Sequence, residues 1–235
     1  MGGLFSLLNV GASALFAEQR ASTIAGQNIA NASTPGYTRQ SVVRSSQPPV
    51  TFGVQITSTE RAQDAMVRRR LEDQLGMSAY SDRRADRLSQ LEDVAVDIGD
   101  NGLLANMDEL FAAFRGLEAN PDEPAQRREV VAAADTLASS IRRMAADFES
   151  ARSGLNNEIV GEIERVNARS ADVARLNSAI KVAEAGGESA NELRDERDRA
   201  VQDLAELAGA YGIEDESGDV SVVVNGIVLA QDDAA

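Results

Sequence analysis

Residues 28–40 read Asn-Ile-Ala-Asn-Ala-Ser-Thr-Pro-Gly-Tyr-Thr-Arg-Gln, and they mark the point where this chain changes direction. Before them, small and apolar residues recur at helical spacing from Leu4 to Ile29. Within them, Pro35-Gly36 ends any helix, because proline restricts the residue before it and has no backbone N–H. The β-branched Val42-Val43 that follows predicts an extended chain. This stretch is therefore expected to end a helix and to redirect the chain.

Two asparagines stand out in this stretch. Asn28 and Asn31 lie three residues apart and would share one helix face. Each side-chain amide can both donate and accept hydrogen bonds. The residue types by themselves favour a helix C-cap followed by a turn.

The same residues resemble the signature near the N-terminus of the bacterial flagellar axial proteins, a family of rod, hook and hook-associated subunits. The ending Pro35-Gly-Tyr-Thr-Arg-Gln40 is most similar to the first hook-associated, or hook–filament junction, branch. A second match begins Asn191-Glu-Leu-Arg-Asp-Glu-Arg-Asp and is similar to the late helix of the family's α-domain. The extended Val220–Leu229 is similar to the strands that follow that helix. The resemblance covers essentially all 235 residues.

The resemblance implies a structural subunit that joins hook to filament. Members of the family are exported unfolded through the flagellum's own channel, without a cleaved signal peptide, and act outside the cell. Their N-terminal segment pairs with the C-terminal one in an inner coiled-coil tube. The implied partners are copies of this chain, the hook protein, the next junction protein and the export apparatus. The implied assembly motif comprises Asn28, Ile29, Asn31, Pro35, Gly36, Tyr37 and Arg39, and the assembly seam comprises Leu4, Leu8, Leu15 and Ile29.

Composition limits the other possibilities. Only 4% of the residues are aromatic, and such a chain favours long helices with thin apolar seams. There is no Cys and no His, so the chain has no disulfide, no thiolate metal site and no imidazole base. We expect no enzyme activity, no cofactor and no metal. The alternatives are a rod or hook subunit of the same family and a non-flagellar helical adaptor.

Charge and hydropathy argue against nucleic-acid and membrane partners. The net charge is −15, and residues 1–58 hold only Glu18 against Arg20, Arg39 and Arg44, so the acidity lies after them. An acidic body repels phosphates and anionic membranes. Leu4–Ala17 lacks a cationic start and is too short to span a bilayer, so we expect neither a cleaved signal peptide nor membrane insertion.

The N-terminal seam is weak. Small residues interrupt it, and each of its glycines costs about 1 kcal/mol of helix propensity relative to Ala. A lone helix of this quality is marginal in water. We expect it to stay frayed until a partner covers Leu4, Leu8, Leu15 and Ile29.

The fold class expected for the whole chain is mainly α, a long-helix bundle or coiled coil behind the weak amphipathic N-terminal helix. Short strands are expected near 50–58 and a β-hairpin near 220–229, with Asn225-Gly226 as its turn. The expected domains are 1–58, an N-terminal polymerisation helix with an extended linker; 59–211, an α-helical bundle; and 212–235, the start of a truncated β-rich region.

Within the bundle, periodicity predicts a long helix that begins near Thr59 or Glu60, with an apolar seam that the polar stretch Ser81–Asp86 breaks. A shorter helix follows, whose apolar stripe with Phe111 and Phe114 is expected to lie in the core. A helix of about 60 residues is then expected over Glu123–Ala185.

A last helix is expected over Asn191–Ala208, and its alternating charges predict an exposed, ion-paired face. The acidic run Glu214–Asp219 could attract calcium. A solvated turn is favoured there, because the run lacks the spacing of a calcium-binding loop.

Overall fold

The structure is a computed structural model that describes residues 3–46, 53–95, 102–186 and 189–231. The long helices and the two small antiparallel sheets match the predicted mainly-α class. The helices are α1 (Gly3–Ala30), α2 (Ala65–Ala95), α3 (Leu103–Ala119), α4 (Pro124–Ala185) and α5 (Asn191–Ala208). The strands are β1 (Gln40–Ser46), β2 (Val54–Arg61), β3 (Tyr211–Glu214), β4 (Val220–Val224) and β5 (Ile227–Ala230).

The described residues form two compact units, Met1–Ala79 with Glu164–Ala235, and Tyr80–Ile163. In the first unit, β1 pairs antiparallel with β2 in a register that sets Gln40 opposite Arg61. The predicted strand near 50–58 is found as β2, and residues 50–52 lie outside the described residues. This two-stranded sheet lies against α1, where Ala17 and Ile24 are buried.

The start expected for α2 at Thr59 or Glu60 is wrong. Both residues pair with β1, and the helix begins only at Ala65. The Asp64 side chain accepts hydrogen bonds from the N–H groups of Met66 and Val67, which is the geometry of an N-cap. From there α2 continues through the polar stretch 81–86 to Ala95.

The core of the first unit lies between α4, α5 and the second sheet. Its buried members are Val173, Ala200, Val201, Leu204, Ala210, Val220, Val222 and Ala230. The predicted β4–β5 hairpin is confirmed, with positive φ at both Asn225 (47°) and Gly226 (82°), as a two-residue turn of this kind requires. The third strand of this sheet, β3, was not predicted.

In the second unit, α3 buries one narrow face. Asn106 and Ala113 are buried, and the Asn106 amide donates to Ser140 Oγ on α4 at 2.5 Å. The expectation that Phe111 and Phe114 lie in the core is wrong, because about half of each remains exposed. At about 100° per residue, Phe114 and Phe111 lie roughly 80–160° round the helix from Asn106 and Ala113, so a helix packed on those two residues leaves both phenylalanines partly uncovered.

Among the described residues, no helix is both long and apolar enough to cross a membrane.

Candidate assembly site

The corner after α1 is held by the Asn28 side chain. Its Oδ1 accepts hydrogen bonds from Tyr37 Oη and from the Gln40 N–H, both at 2.9 Å. Its Nδ2 donates to the Gln40 carbonyl oxygen, also at 2.9 Å. One amide therefore ties the last turn of the helix to the first residue of β1.

Asn31 makes only local hydrogen bonds in the described structure. It lies one residue beyond α1, and its Nδ2 donates to the Gln27 carbonyl at 3.0 Å. Its Oδ1 accepts from Thr34 Oγ1 at 3.2 Å. Asn31 therefore closes the helix end, as the C-cap interpretation expects, while Asn28 reaches across the corner.

Pro35 and Gly36 lie where the chain passes close to α5. Gly36 has φ +75°, a left-handed value that glycine adopts without strain. A Cβ atom at this position would also collide with the Arg199 side chain of α5. Arg39 is exposed, and its carbonyl accepts from the Ala62 N–H at 2.8 Å.

Tyr37 is half-buried beside the acidic side of α5. Burial, reinforced by the negative charges of Asp195 and Glu192, raises the pKa of the Tyr37 phenol above its ordinary value. The phenol therefore stays protonated to a higher pH than usual and keeps donating to Asn28.

One face of α5 receives this corner and the adjoining sheet. Asp195 Oδ2 accepts from the Thr38 N–H at 3.1 Å. Asn191 Nδ2 donates to the Thr59 carbonyl at 3.1 Å and to Gln40 Oε1 at 3.2 Å. The two stretches that carried the family resemblance therefore touch, although more than 150 residues separate them.

Arg61 completes this contact, and the sequence analysis missed it. Its Nη1 lies 2.7 Å from Asp195 Oδ1 and 2.8 Å from Asp198 Oδ2. Gln63 Nε2 also donates to Asp198 Oδ2. A signal was present in the sequence, because Asn191, Asp195 and Asp198 recur at i, i+4 and i+7 and therefore share one polar helix face.

The exposed, ion-paired face expected for α5 is found only in part: Glu196 and Asp203 are about half-exposed and pair with arginines of α4, whereas other charges of the helix are buried. Asp195, Arg197 and Asp198 are 3%, 0% and 7% exposed. On the other side of the helix, Arg197 Nη1 donates to Asn177 Oδ1 at 2.9 Å and to the Gly218 carbonyl at 2.8 Å. Burial lowers the pKa of the Arg197 guanidinium, and its Nε atom has no hydrogen-bond partner among the described residues.

The N-terminal seam lies on the free side of α1. At about 100° per residue, Leu4, Leu8, Leu15 and Ile29 fall within a stripe of roughly 60°. Ala17 and Ile24 lie on the opposite side and are buried. The four seam residues are between 61% and 78% exposed. The helix is formed from Gly3 to Ala30, and none of the described residues covers the apolar seam that is expected to need a partner.

In the acidic run after β3, the Asp215 carboxylate is hydrogen-bonded to the turn that contains it. Asp215 Oδ1 accepts from Ser217 Oγ at 2.7 Å and from the N–H groups of Ser217 and Asp219 at 2.9 and 3.0 Å. These hydrogen bonds, the Ser217 side chain first, lower the pKa of the Asp215 carboxyl. The oxygens that could hold a cation thus shape a turn, and the described residues contain no group of three acidic side chains placed to bind a metal.

Residues 88–235 match the family described as the flagellar hook-associated protein FlgK helical domain. The chain belongs to the FlgK family. Residues 8–38, which include most of α1 and the corner, match the flagella basal body rod protein family.

Curated relatives named flagellar hook-associated protein 1 agree with this assignment. The Escherichia coli (strain K12) protein is 24% identical over 240 residues, covering 98% of this chain and 44% of the relative. The Bacillus subtilis (strain 168) protein is 28% identical over 221 residues, covering 88% of this chain and 44% of the relative. The chain thus spans less than half the length of these FlgK-family relatives.

A solved structure shows the same fold. The flagellar hook junction protein FlgK from Burkholderia pseudomallei superimposes with a TM-score of 0.61 at 23% identity. The match covers 73% of this chain and 30% of that protein. At this identity, the likeness speaks for the fold alone.

Proposed function

We propose that this chain is part of a structural subunit that joins the flagellar hook to the filament, and that it assembles through the seam of α1. The observation that carries the proposal is the uncovered stripe of Leu4, Leu8, Leu15 and Ile29 on a helix whose other side is already packed. Membership of the FlgK family supplies the flagellar setting.

The energetics favour a partner for this helix. Covering a leucine side chain contributes about 1.5–3 kcal/mol relative to leaving it in water. A contiguous exposed apolar stripe is typical of an interaction surface. A coiled coil with a neighbouring helix would bury all four seam residues at once.

The corner is the second part of the proposed assembly site. Asn28, Asn31, Pro35, Gly36, Tyr37 and Arg39 would set the direction in which the seam-bearing helix leaves the sheet and α5, and Ile29 would belong to both motif and seam. The support is the hydrogen-bond set of Asn28 and the contact of the corner with Asp195.

We propose as partners copies of this chain, the hook protein, the next junction protein and the export apparatus. The site of action would be the flagellum outside the cell, reached without a cleaved signal peptide. Residues 1–58 would be the polymerisation part, 59–211 the helical bundle domain and 212–235 the beginning of a β-rich region. The names of the relatives and the acidic, His- and Cys-free composition support a structural rather than a catalytic role.

A rod or hook subunit is the second candidate, since residues 8–38 match the rod protein family. The match over 88–235 to the hook-associated helical domain favours the junction role, because it covers the long helices that follow the shared motif.

A double substitution tests the proposal. Leu8→Asp with Leu15→Asp in the full-length protein should leave the melting temperature of the helical bundle nearly unchanged, because both side chains are exposed in the isolated chain. It should abolish incorporation at the hook tip and leave cells without filaments. Circular dichroism, immunoblots of isolated hooks and electron microscopy of cells measure the three outcomes.

The matched control is Asn9→Asp with Gln27→Asp, which adds the same charge at exposed positions about 100° or more away from the seam. Filaments should form in this control. The seam variant must also appear outside the cell, since lost export would give the same phenotype. Normal filaments with the seam variant would contradict the assembly role, and an early melt of the bundle would favour the helical-adaptor alternative.

A further inference from the structure

The contact between the N-terminal segment, described residues 3–46 and 53–61, and the rest of the first unit is dominated by polar groups. None of the residues in the core cluster comes from the described part of this segment. Arg61 instead places its guanidinium between Asp195 and Asp198 of α5, and all three side chains are less than a tenth exposed. Buried charges in the middle of a joint make its geometry depend on a few directional contacts.

Asp195 holds both strands of the segment's sheet at the end where Gln40 and Arg61 face each other. Its Oδ2 accepts from the backbone of Thr38, just before β1, and its Oδ1 pairs with Arg61 at the end of β2. Gln40, which lies opposite Arg61 in the sheet register, bonds to Asn191 one turn earlier on the same helix. The Asp195 carboxylate therefore contacts the chain just before β1 and the end of β2 at once.

The corner packs closely against α5 only while the N-terminal segment is bound to Asp195. Gly36 lies so near the Arg199 side chain that no Cβ atom fits between them. Arg199 Nε donates to the carbonyl of Asp195, which keeps this side chain on the corner side of the helix. A segment that moved away from Asp195 would lose this packing as well.

We propose that Asp195 is the positioning residue of this joint, and that Asp195 and Arg61 form an ionic latch that holds the N-terminal segment in one orientation. Loss of the Arg61 charge leaves the buried carboxylates of Asp195 and Asp198 without the cation between them, and loss of the Asp195 charge leaves Arg61 with Asp198 alone. Removing one member of a buried ionic contact is strongly destabilising. The segment then undocks as a unit while the core of α4, α5 and β3–β5 stays folded. Its consequence for assembly rests on the proposed function, since the latch would set the angle at which α1 is presented to its neighbours.

Distance measurements between two spin labels test the latch. The chain has no cysteine, so single cysteines at the exposed positions Ser45 and Glu206 can be labelled selectively. The unsubstituted protein should give one narrow distance distribution by pulsed electron paramagnetic resonance. Arg61→Gln and Asp195→Asn should each broaden it and add a longer component.

The matched control is Asp203→Asn. Asp203 also lies on α5 and also pairs with an arginine, but its partner is Arg169 of α4 at 3.2 Å and its side chain is half-exposed. This variant should keep the narrow distribution. The double variant Arg61→Gln, Asp195→Asn should undock the segment no further than the more strongly affected single variant, because both changes break the same contact.

Unchanged narrow distances in both single variants would overturn the latch. If Asp195→Asn lowers the melting temperature of the core, Arg61→Gln decides the question, since Arg61 lies outside that core; a narrow distribution in this variant then rules the latch out. The experiment needs neither hook nor filament. Its failure would leave the seam test untouched, and failure of the seam test would leave the latch standing.

Discussion

At the scale of single residues, the corner shows how similar side chains take unlike roles from their position. Asn28 lies in the last turn of α1 with its amide facing back along the redirected chain, so it bonds to residues 9 and 12 positions later. Asn31 lies beyond the helix and bonds only within four residues of itself. The first contact needs a folded corner, and the second needs only a helix end.

Replacing Asn28 by Ala should therefore loosen the corner specifically. The Gln40 N–H loses its acceptor, and an unpaired, partly buried polar group costs about 1–3 kcal/mol. We expect amide hydrogen exchange at Gln40 to quicken by about tenfold to a hundredfold, since 1.4 kcal/mol corresponds to a factor of ten. Asn31→Ala is the control and should leave exchange at Gln40 unchanged. Equal effects of the two substitutions would show that Asn28 has no special place in the corner.

At the scale of the element, α5 is the helix on which the first unit is organised. One face, with Asn191, Asp195 and Asp198, binds the corner and the two-stranded sheet, while Leu204 and Val201 on another face enter the core. Arg197 joins the second face to the turn before β4. The helix ends at Ala208, and the left-handed φ of 66° at Gly209 turns the chain so that the Ala210 N–H reaches the Leu204 carbonyl at 3.3 Å.

The short strand β3 depends on a buried carboxylate. Glu72 of α2 is 2% exposed, and its Oε2 accepts from the Gly212 N–H at 3.1 Å. Burial has the largest effect on the Glu72 carboxyl and raises its pKa. The Gly212 hydrogen bond and the positive charges of Arg68 and Arg69 lower the pKa by less. The folded protein therefore binds this proton more tightly than the unfolded chain does.

This shift predicts how Glu72→Gln changes stability with pH. For an acid whose pKa is raised on folding, the stabilisation is present below the unfolded pKa, about 4.3, and is lost as pH rises through the folded value. The glutamine variant keeps an acceptor and carries no charge, so its advantage over the unsubstituted protein should be largest at pH 7.5 and should shrink towards pH 4.5. Urea unfolding at both values measures it. A variant that is clearly less stable at pH 7.5 would contradict the prediction, and Asp73→Asn, next to it but half-exposed, is the control that should change little.

At the scale of the whole molecule, the described residues divide into regions of unequal burial. Val173, Leu204 and Val222 in the core of the first unit are completely buried. Along α1 the large apolar side chains on the seam side are mostly exposed, so fewer contacts oppose local opening there.

The rates of amide hydrogen exchange in the isolated chain should follow this difference in burial. We expect the amides of Leu204 and Val222 to exchange most slowly and those of 4–16 in α1 to exchange fastest among the helical amides. Mass spectrometry of peptic fragments from a confirmed monomer gives the order. Strong protection over 4–16 in that monomer would mean that the seam is covered within the chain, against the proposed role in assembly.

The sequence by itself determined the elements whose cause is local. The seam of α1 follows from its periodicity, the corner from Pro35-Gly36, the length of α4 from an unbroken helical pattern, and the β4–β5 turn from Asn225-Gly226. Each depends on residues within one or two turns of one another, so the chain's own propensities settle them. The resemblance to the flagellar family also came from local stretches, and the match over residues 88–235 showed membership.

Tertiary structure alone decided which faces are covered. The charge pattern of α5 is compatible with an exposed face and with a buried, salt-bridged one. Asp195 is buried because Thr38 and Arg61, more than 130 residues away, pack against it. β3 has only four residues and persists because β4 and Glu72 satisfy its backbone. Phe111 stays half-exposed because α4 covers only one narrow face of its helix. Apolar periodicity indicates which face of a helix can be buried. Whether that face is buried depends on a partner surface, which the local sequence does not encode.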